Sequence, residues 1–240
     1  MLHYYAKDFF APLIVTSHLS NSNKLSIYIV SDQLNSLSNC TVEIRYYNWK
    51  SITPLSARYF NNITTVSNKA IRVAYLRLDE SLDQVGCGSW ESAKRSCVIT
   101  LSLMDKSPIA PINYVYPGPL RNADIPVANV TINDVRQVIS GRPYKTFKFV
   151  LSTDNIALFV WLETGIIRGH FSENGFHMFE TEKSIIFHPY EETTVELLQK
   201  YTTLTTLSNI YNARDNFDED YSVLEKQEIH INHVQYIITI

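Results

Sequence analysis

Seven histidines, three cysteines and scattered carboxylates are the side chains in this 240-residue chain with chemistry to offer. His230 and His233 lie three apart, and His170 and His177 seven apart. Neither pair has the His-Glu-x-x-His spacing that sets two imidazoles on one helix face around zinc. Without a ligand set they read as structural or surface histidines, and no metal or cofactor is expected. No Gly-x-Ser-x-Gly elbow is present to expose a nucleophilic serine. Gly165-Ile166-Ile167-Arg168-Gly169 lacks the Lys-Ser/Thr end of a phosphate loop and reads as a loop between strands. Glu163, Glu173 and Glu180 offer carboxylate pairs of the kind that cleaves glycosidic bonds. That chemistry needs two of them about 5–9.5 Å apart, and a charged residue beside a turn is usually solvated. No catalytic residue is assigned.

Cys87 and Cys97 bracket the polar run from Gly88 to Ser96. The spacing suits a staple worth about 2–3 kcal/mol, and it suits two free thiols equally. Cys40 has no His or Cys at ligand spacing and reads as a buried or free thiol. Asn39-Cys40-Thr41, Asn62-Ile63-Thr64 and Asn129-Val130-Thr131 match the N-glycosylation pattern. With eighteen Asn in a chain rich in Ser and Thr, about three such matches arise by chance. The sequons permit a secretory origin without establishing one. Tyr46, Tyr47 and Trp49, or Tyr114 and Tyr116, have the rings to stack on sugars. Alternating aromatics on strands usually belong to a core, however, and aromatics in Pro-rich connectors usually pack a domain interface.

The elements that must position these groups are strands. The chain is 45% apolar and 19% charged with a net charge of −3, which suits one or two folded domains at about 100–200 residues each. No run approaches the roughly 18 apolar residues of a membrane-spanning helix. No basic block points to nucleic acid. Leu2, Tyr5 and Phe9 recur at helical spacing before Ala11-Pro12 closes the helix. The N-terminus has neither the basic start nor the apolar run of a secretory signal, so a chain made alone is expected in the cytoplasm.

From Pro12 to Met104, alternation marks short strands. Leu25, Ile27 and Ile29 share one face, as do Val42, Ile44 and Tyr46 opposite Glu43 and Arg45. Ile71, Val73 and Tyr75 read as another inward set opposite Arg72 and Ala74, and Ile99, Leu101 and Leu103 close the series. Asp79-Glu80-Ser81-Leu82 reads as one helical turn. Some six or seven strands in about 95 residues suggest an immunoglobulin-like sandwich. Five of the nine prolines then fall between Lys106 and Pro126, a semi-rigid connector. Strands resume with Phe147, Phe149 and Leu151. Ile156–Leu162 is apolar on both faces, as a central strand should be. Asn174-Gly175 marks a turn, and Ile185-Ile186-Phe187 and Leu204–Leu207 supply later strands of a second sandwich. The acidic run after Asn212 and the apolar run Val234–Ile240 differ from both sandwiches.

Phe159–Gly165 followed by Gly169–Phe176 resembles the C-terminal immunoglobulin-like domain of the lysosomal beta-mannosidases, members of glycoside hydrolase family 2. Ile185–Tyr190 and Thr206–Tyr211 continue the likeness. Met1–Pro12 resembles the segment leaving that family's catalytic barrel, and Tyr47-Asn48-Trp49 and the Cys87/Cys97 pair look familial too. The resemblance implies an all-β chain of two tandem immunoglobulin-like β-sandwiches with a short N-terminal helix left from a (β/α)8 barrel. Residues 1–10 would end the barrel helix and 11–106 form the first sandwich. Residues 107–126 would be the linker, 127–211 the second sandwich and 212–240 a tail outside the family. It also implies a Cys87–Cys97 disulfide. The family's catalytic glutamates belong to the barrel, at the C-terminal ends of its strands, so none is carried over. The chain alone is expected to be inactive, a structural part of a lysosomal enzyme that removes terminal non-reducing β-D-mannose from glycans. Its partner would be the barrel in the same molecule. The rival reading is a freestanding module that binds mannose-containing glycans.

Overall fold

The computed structural model describes residues 2–139, 141 and 144–209. His230, His233, the acidic run and the proposed tail over 212–240 lie outside the described residues. The chain opens with helix α1 (Leu2–Phe9), then β1 (Leu13–Leu19), β2 (Lys24–Ser31), β3 (Cys40–Asn48), β4 (Ser56–Ile63) and β5 (Lys69–Arg77). Helices α2 (Leu78–Gln84) and α3 (Trp90–Ser96) precede β6 (Cys97–Asp105), β7 (Ser107–Pro108) and β8 (Asn113–Val115). After a 3-10 turn at Leu120–Asn122 come β9 (Val130–Val138), β10 (Thr146–Thr153), β11 (Ala157–Glu163), β12 (Gly169–Phe171), β13 (Phe176–Met178) and β14 (Glu182–Pro189). Helix α4 (Val195–Tyr201) and β15 (Thr203–Thr205) complete the series.

The fold is all-β: two immunoglobulin-like sandwiches, each of two antiparallel sheets, and the described residues form no barrel. In the first, β1-β2-β5 faces β4-β3-β6-β7, with β8 also on β6. In the second, β12-β14-β10-β9 faces β13-β11-β15. The alternation read from β2, β3 and β6 is the core itself. Leu25, Ile27 and Ile29 meet Val42, Ile44, Ile99 and Leu101, all wholly buried. Each such side chain contributes roughly 1.5–3 kcal/mol through loss of water contact. Phe147, Phe149 and Leu151 of β10 do the same against Val160 and Leu162 of β11.

Three expectations are corrected. Tyr75 does not share the inward face of Ile71. Ile27 pairs with Ala74 and Tyr28 with Arg72, so Val73 is an extra residue in β5. A bulge of this kind shifts the alternation by one. Ala74 therefore turns into the core and Tyr75 out, 51% exposed beside Lys24 and Arg72. The Cys87–Cys97 interval, read as a polar loop, contains α3. Ser89 caps it by accepting the Ser92 N–H, with Glu91 in its first turn and Lys94 and Arg95 in its last, charges placed to favour the helix dipole. The stretch from 107 to 126 is likewise more than extended connector, since β7 and β8 lie alongside β6 as strands of the first sandwich.

Both faces of β6 are covered, and this sets how the sandwiches join. Ile99, Leu101 and Leu103 point into the first core. Val98, with Tyr47 and Trp49, joins Ile156 and Leu158 of the second sandwich in a third, shared apolar cluster. Tyr47 meets Phe179 edge-on at 5.0 Å, and Trp49 stacks on Tyr116 at 6.3 Å.

Candidate functional site

Beyond that shared cluster the sandwiches part, leaving a cleft of about 460 Å³. Its floor is the outer face of β3 and β6. In the register, Tyr47 pairs with Val98, Arg45 with Thr100 and Glu43 with Ser102. The face thus changes within three rungs from apolar contact to buried hydroxyls and an ion pair, Arg45 Nε to Glu43 Oε1 at 3.0 Å.

Helix α1 forms one wall in an arrangement its connectivity does not suggest. It leads straight into β1 of the first sandwich, yet its side chains grip the second. The Tyr5 hydroxyl donates to the Gly175 carbonyl, and Tyr4 accepts the Phe171 N–H at 3.3 Å. Tyr4 also packs edge-on against Trp161 at 5.8 Å, and Lys7 donates to the Ser172 carbonyl at 3.2 Å. Asp8 faces the cleft. Burial, reinforced by the negative charge of Glu173, raises its carboxyl above the ordinary range. Burial and then Asp8 push the Tyr5 phenol up to about 12. Opposite, Glu173 pairs with Lys183 at 2.8 Å.

The cleft's inner end is His177. Leu158 and Phe159 form a bulge in β11, between the pairs Ala157–Met178 and Val160–Phe176. Phe159 there takes φ of 53°, and its N–H donates to His177 Nδ1 at 3.0 Å. The imidazole is therefore neutral with its proton on Nε2, which donates to the Tyr116 hydroxyl at 3.2 Å. Burial holds its pKa down at about 4. Tyr114 packs against His177 and Phe179, and burial raises its phenol well above 10.

Of the residues singled out from sequence, Glu173, Glu180, His177, Tyr47 and Tyr114 line this cleft. Glu163 lies away from it, accepting from Trp161 Nε1 at 2.9 Å. His170 packs at a tilt against His188 and Tyr190 in the second sandwich, apart from His177. Among the described residues no cluster of His, Cys, Asp or Glu is placed to hold a metal ion. Tyr46, Tyr47 and Trp49 are almost wholly buried and offer no exposed platform. Sequence reasoning missed Asp8, Arg45, Thr100 and Ser102, whose neighbours along the chain carry no motif.

Cys87 and Cys97 form a disulfide, while Cys40 is free and buried, its thiol pushed up by that burial. Asn39, Asn62 and Asn129 are exposed. Asn39 and Asn62 flank the Cys40–Ile63 pair at one corner of the first sandwich. The Asn129 amide donates to Asp154 Oδ2 at 2.7 Å, and its N–H to Oδ1 at 2.8 Å.

Comparison with known proteins places both sandwiches. A mannosidase Ig/CBM-like domain model matches residues 23–122, and a mannosidase Ig-fold domain model matches 121–210. Beta-mannosidases of Mus musculus and Capra hircus are each 32% identical over 214 and 213 residues, 88% of this chain. A probable beta-mannosidase of Caenorhabditis elegans is 25% identical over 230 residues. The crystal structure of a beta-D-mannosidase from Dictyoglomus thermophilum superposes with a TM-score of 0.63 at 19% identity, a likeness of fold. It covers 85% of this chain and 23% of that one. The chain likewise spans 23% of the length of the mammalian relatives it matches.

Proposed function

Because the chain belongs to the beta-mannosidase family, of which it carries the two immunoglobulin-like domains, we propose that it is the accessory, non-catalytic part of such an enzyme. The parent would hydrolyse terminal non-reducing β-D-mannose residues during glycan and glycoprotein breakdown in the lysosome. The chain's partner would be the catalytic barrel of the same molecule, which it would buttress. The observation that carries the reading is the clamp on α1. A helix covalently tied to the first sandwich and hydrogen-bonded to the second is a rigid point of attachment for a preceding domain. The mammalian relatives, the Cys87–Cys97 disulfide and the exposed sequons support a secretory route, where disulfides persist.

The test is the size of the native protein in its source tissue, detected with an antibody raised against residues 125–211. A barrel of about 250 residues and two further sandwiches of about 100 each put the expected band at roughly 80 kDa or more. A lone band at 27.6 kDa overturns the reading in favour of a separate non-catalytic module. The purified chain is expected to leave a chromogenic β-mannoside intact, and clear turnover would count against the assignment.

A further inference from the structure

We propose that Asn62 carries an N-linked glycan that shields the open edge of strand β4. The proposal rests on the secretory route of the accessory-domain reading, but its test does not depend on the native protein's size. It starts from the edge. β4 ends the order β4-β3-β6-β7. One side of its backbone bonds to β3, and no strand of the described residues pairs with the other. Such an edge is a template for pairing with a second chain, and lysine, proline or a bulge usually guards it. Ser56–Ile63 has no proline, no lysine and a single charge at Arg58, and its Tyr59 is exposed. Its one guard is a bulge near the end, between the pairs Cys40–Ile63 and Val42–Phe60, where Thr41 opposes both Asn61 and Asn62.

The sequon Asn62-Ile63-Thr64 sits on that bulge. Asn62 has φ of 58°, a region asparagine enters more readily than most residues, so the bulge accounts for its identity. It does not account for the hydroxyl two residues on. Ile63 packs against the first core. Thr65 is wholly buried, its N–H donating to the Leu37 carbonyl and its hydroxyl accepting the Leu37 N–H, both at 2.8 Å. Beside these anchors Asn62 and Thr64 are exposed, and among the described residues nothing engages either side chain. The other two sequons differ. The Thr41 hydroxyl donates to Asn61 Oδ1 at 3.0 Å. Asn129 Nδ2 donates to Asp154, and the Thr131 hydroxyl to Asn133. Of the three, the fold leaves both acceptor amide and hydroxyl open only at Asn62. The attachment is a glycosyl transfer from a lipid-diphosphate-linked oligosaccharide to the nascent chain. Asn62 Nδ2 bonds to the anomeric carbon as that carbon's bond to the diphosphate oxygen breaks. The lipid diphosphate leaves with the electron pair, and one amide proton passes to a base of the transferase. After folding, this bulky hydrated group stands at the end of β4 and keeps a second strand away.

The experiment expresses the full chain behind a secretory leader in a eukaryotic cell. Peptide-N-glycosidase in heavy-oxygen water turns a glycosylated asparagine into labelled aspartate. The tryptic peptide Tyr59–Lys69 holds this sequon alone, and label at residue 62 in most molecules is expected. Unlabelled Asn62 overturns the proposal and leaves the accessory-domain reading to its own test of native size. Thr64→Ala then removes the sequon while keeping the asparagine that the bulge favours. It should hold the thermal midpoint and self-associate about ten-fold more tightly in sedimentation, with amide-exchange protection gained along β4 as dimers form. Wild-type protein deglycosylated after folding should behave alike, so the comparison survives a variant that fails to fold. Unchanged self-association in both, or protection gained on another surface instead, overturns the proposal.

Discussion

Phe159 occupies a backbone region that a bulky aromatic rarely enters, with φ of 53°. The bulge that places it there leaves its N–H without a strand partner, and His177 Nδ1 takes that proton's hydrogen bond. The same ring reaches Tyr116 through Nε2, so one neutral imidazole ties a strained strand to the connector. His177→Leu keeps comparable bulk but orphans both groups. At about 1–3 kcal/mol for each unsatisfied group, the variant should lose roughly 2–6 kcal/mol, measured by urea unfolding. His177→Asn retains an acceptor near the Phe159 N–H and should lose less. The same residue sets a pH dependence. Its folded pKa of about 4 lies below the ordinary 6.5, so as the pH falls the unfolded chain takes up the proton first. This contribution to stability is intact above about pH 6.5. It is lost as the pH drops from there toward 4, by up to about 3 kcal/mol. Urea midpoints across that range should slope in the wild type, and the slope should flatten in His177→Asn.

At the level of elements, the disulfide closes a loop that α3 fills. Cys87 and Cys97 are ten residues apart, and closing so short a loop restricts the unfolded chain by about 3 kcal/mol in the chain-entropy model. Replacing both by Ser should cost about that much in urea unfolding, with α3 and the adjacent connector the first region to lose amide-exchange protection. The polar loop expected there was a helix because its cap at Ser89 and its terminal charges outweigh a composition that reads as loop. Strands with an apolar inward face were readable in advance, since β2, β3, β6 and β10 alternate apolar with polar or partly polar positions and their inward residues are the core. Strand β5 misled at Val73, because a bulge changes which face a residue occupies while leaving the hydrophobic pattern plausible. Edge strand β4, with its half-polar Ser56–Ile63, carried too weak an alternation to be seen. The cleft was legible only at Tyr47, Tyr114, Glu173, Glu180 and His177. Asp8, Arg45, Thr100 and Ser102 come from α1, β3 and β6, and only the docking of one sandwich on the other brings them beside Glu173.

For the whole molecule, the question is whether two tandem sandwiches behave as one body. Domains joined by a linker move independently unless their interface is large and apolar. Here Leu158 and Ile156 leave the second sandwich's own core and bury themselves with Tyr47, Trp49 and Val98 of the first. The connector is fixed along this seam. A Cβ at Gly118 would lie 2.7 Å from the Lys94 carbonyl oxygen, so only glycine lets it run this close to α3. Further on, Asp124 pairs with Arg95 at 2.7 Å, and its N–H donates to the Arg95 carbonyl. If the shared cluster couples the sandwiches, truncating a side chain in it must differ in kind from truncating one in a private core. Leu158→Ala and Leu151→Ala make that comparison, since Leu151 is wholly buried among residues of the second sandwich alone. Each should cost about 2–5 kcal/mol locally. In calorimetry Leu151→Ala should lower the melting of the second sandwich and, through the intact seam, carry the first with it. Leu158→Ala should instead separate the two transitions, leaving the first sandwich near its own midpoint. A single undivided transition in Leu158→Ala would move the coupling to the connector, where Gly118→Val, by forcing it off α3, becomes the variant that must divide the melt.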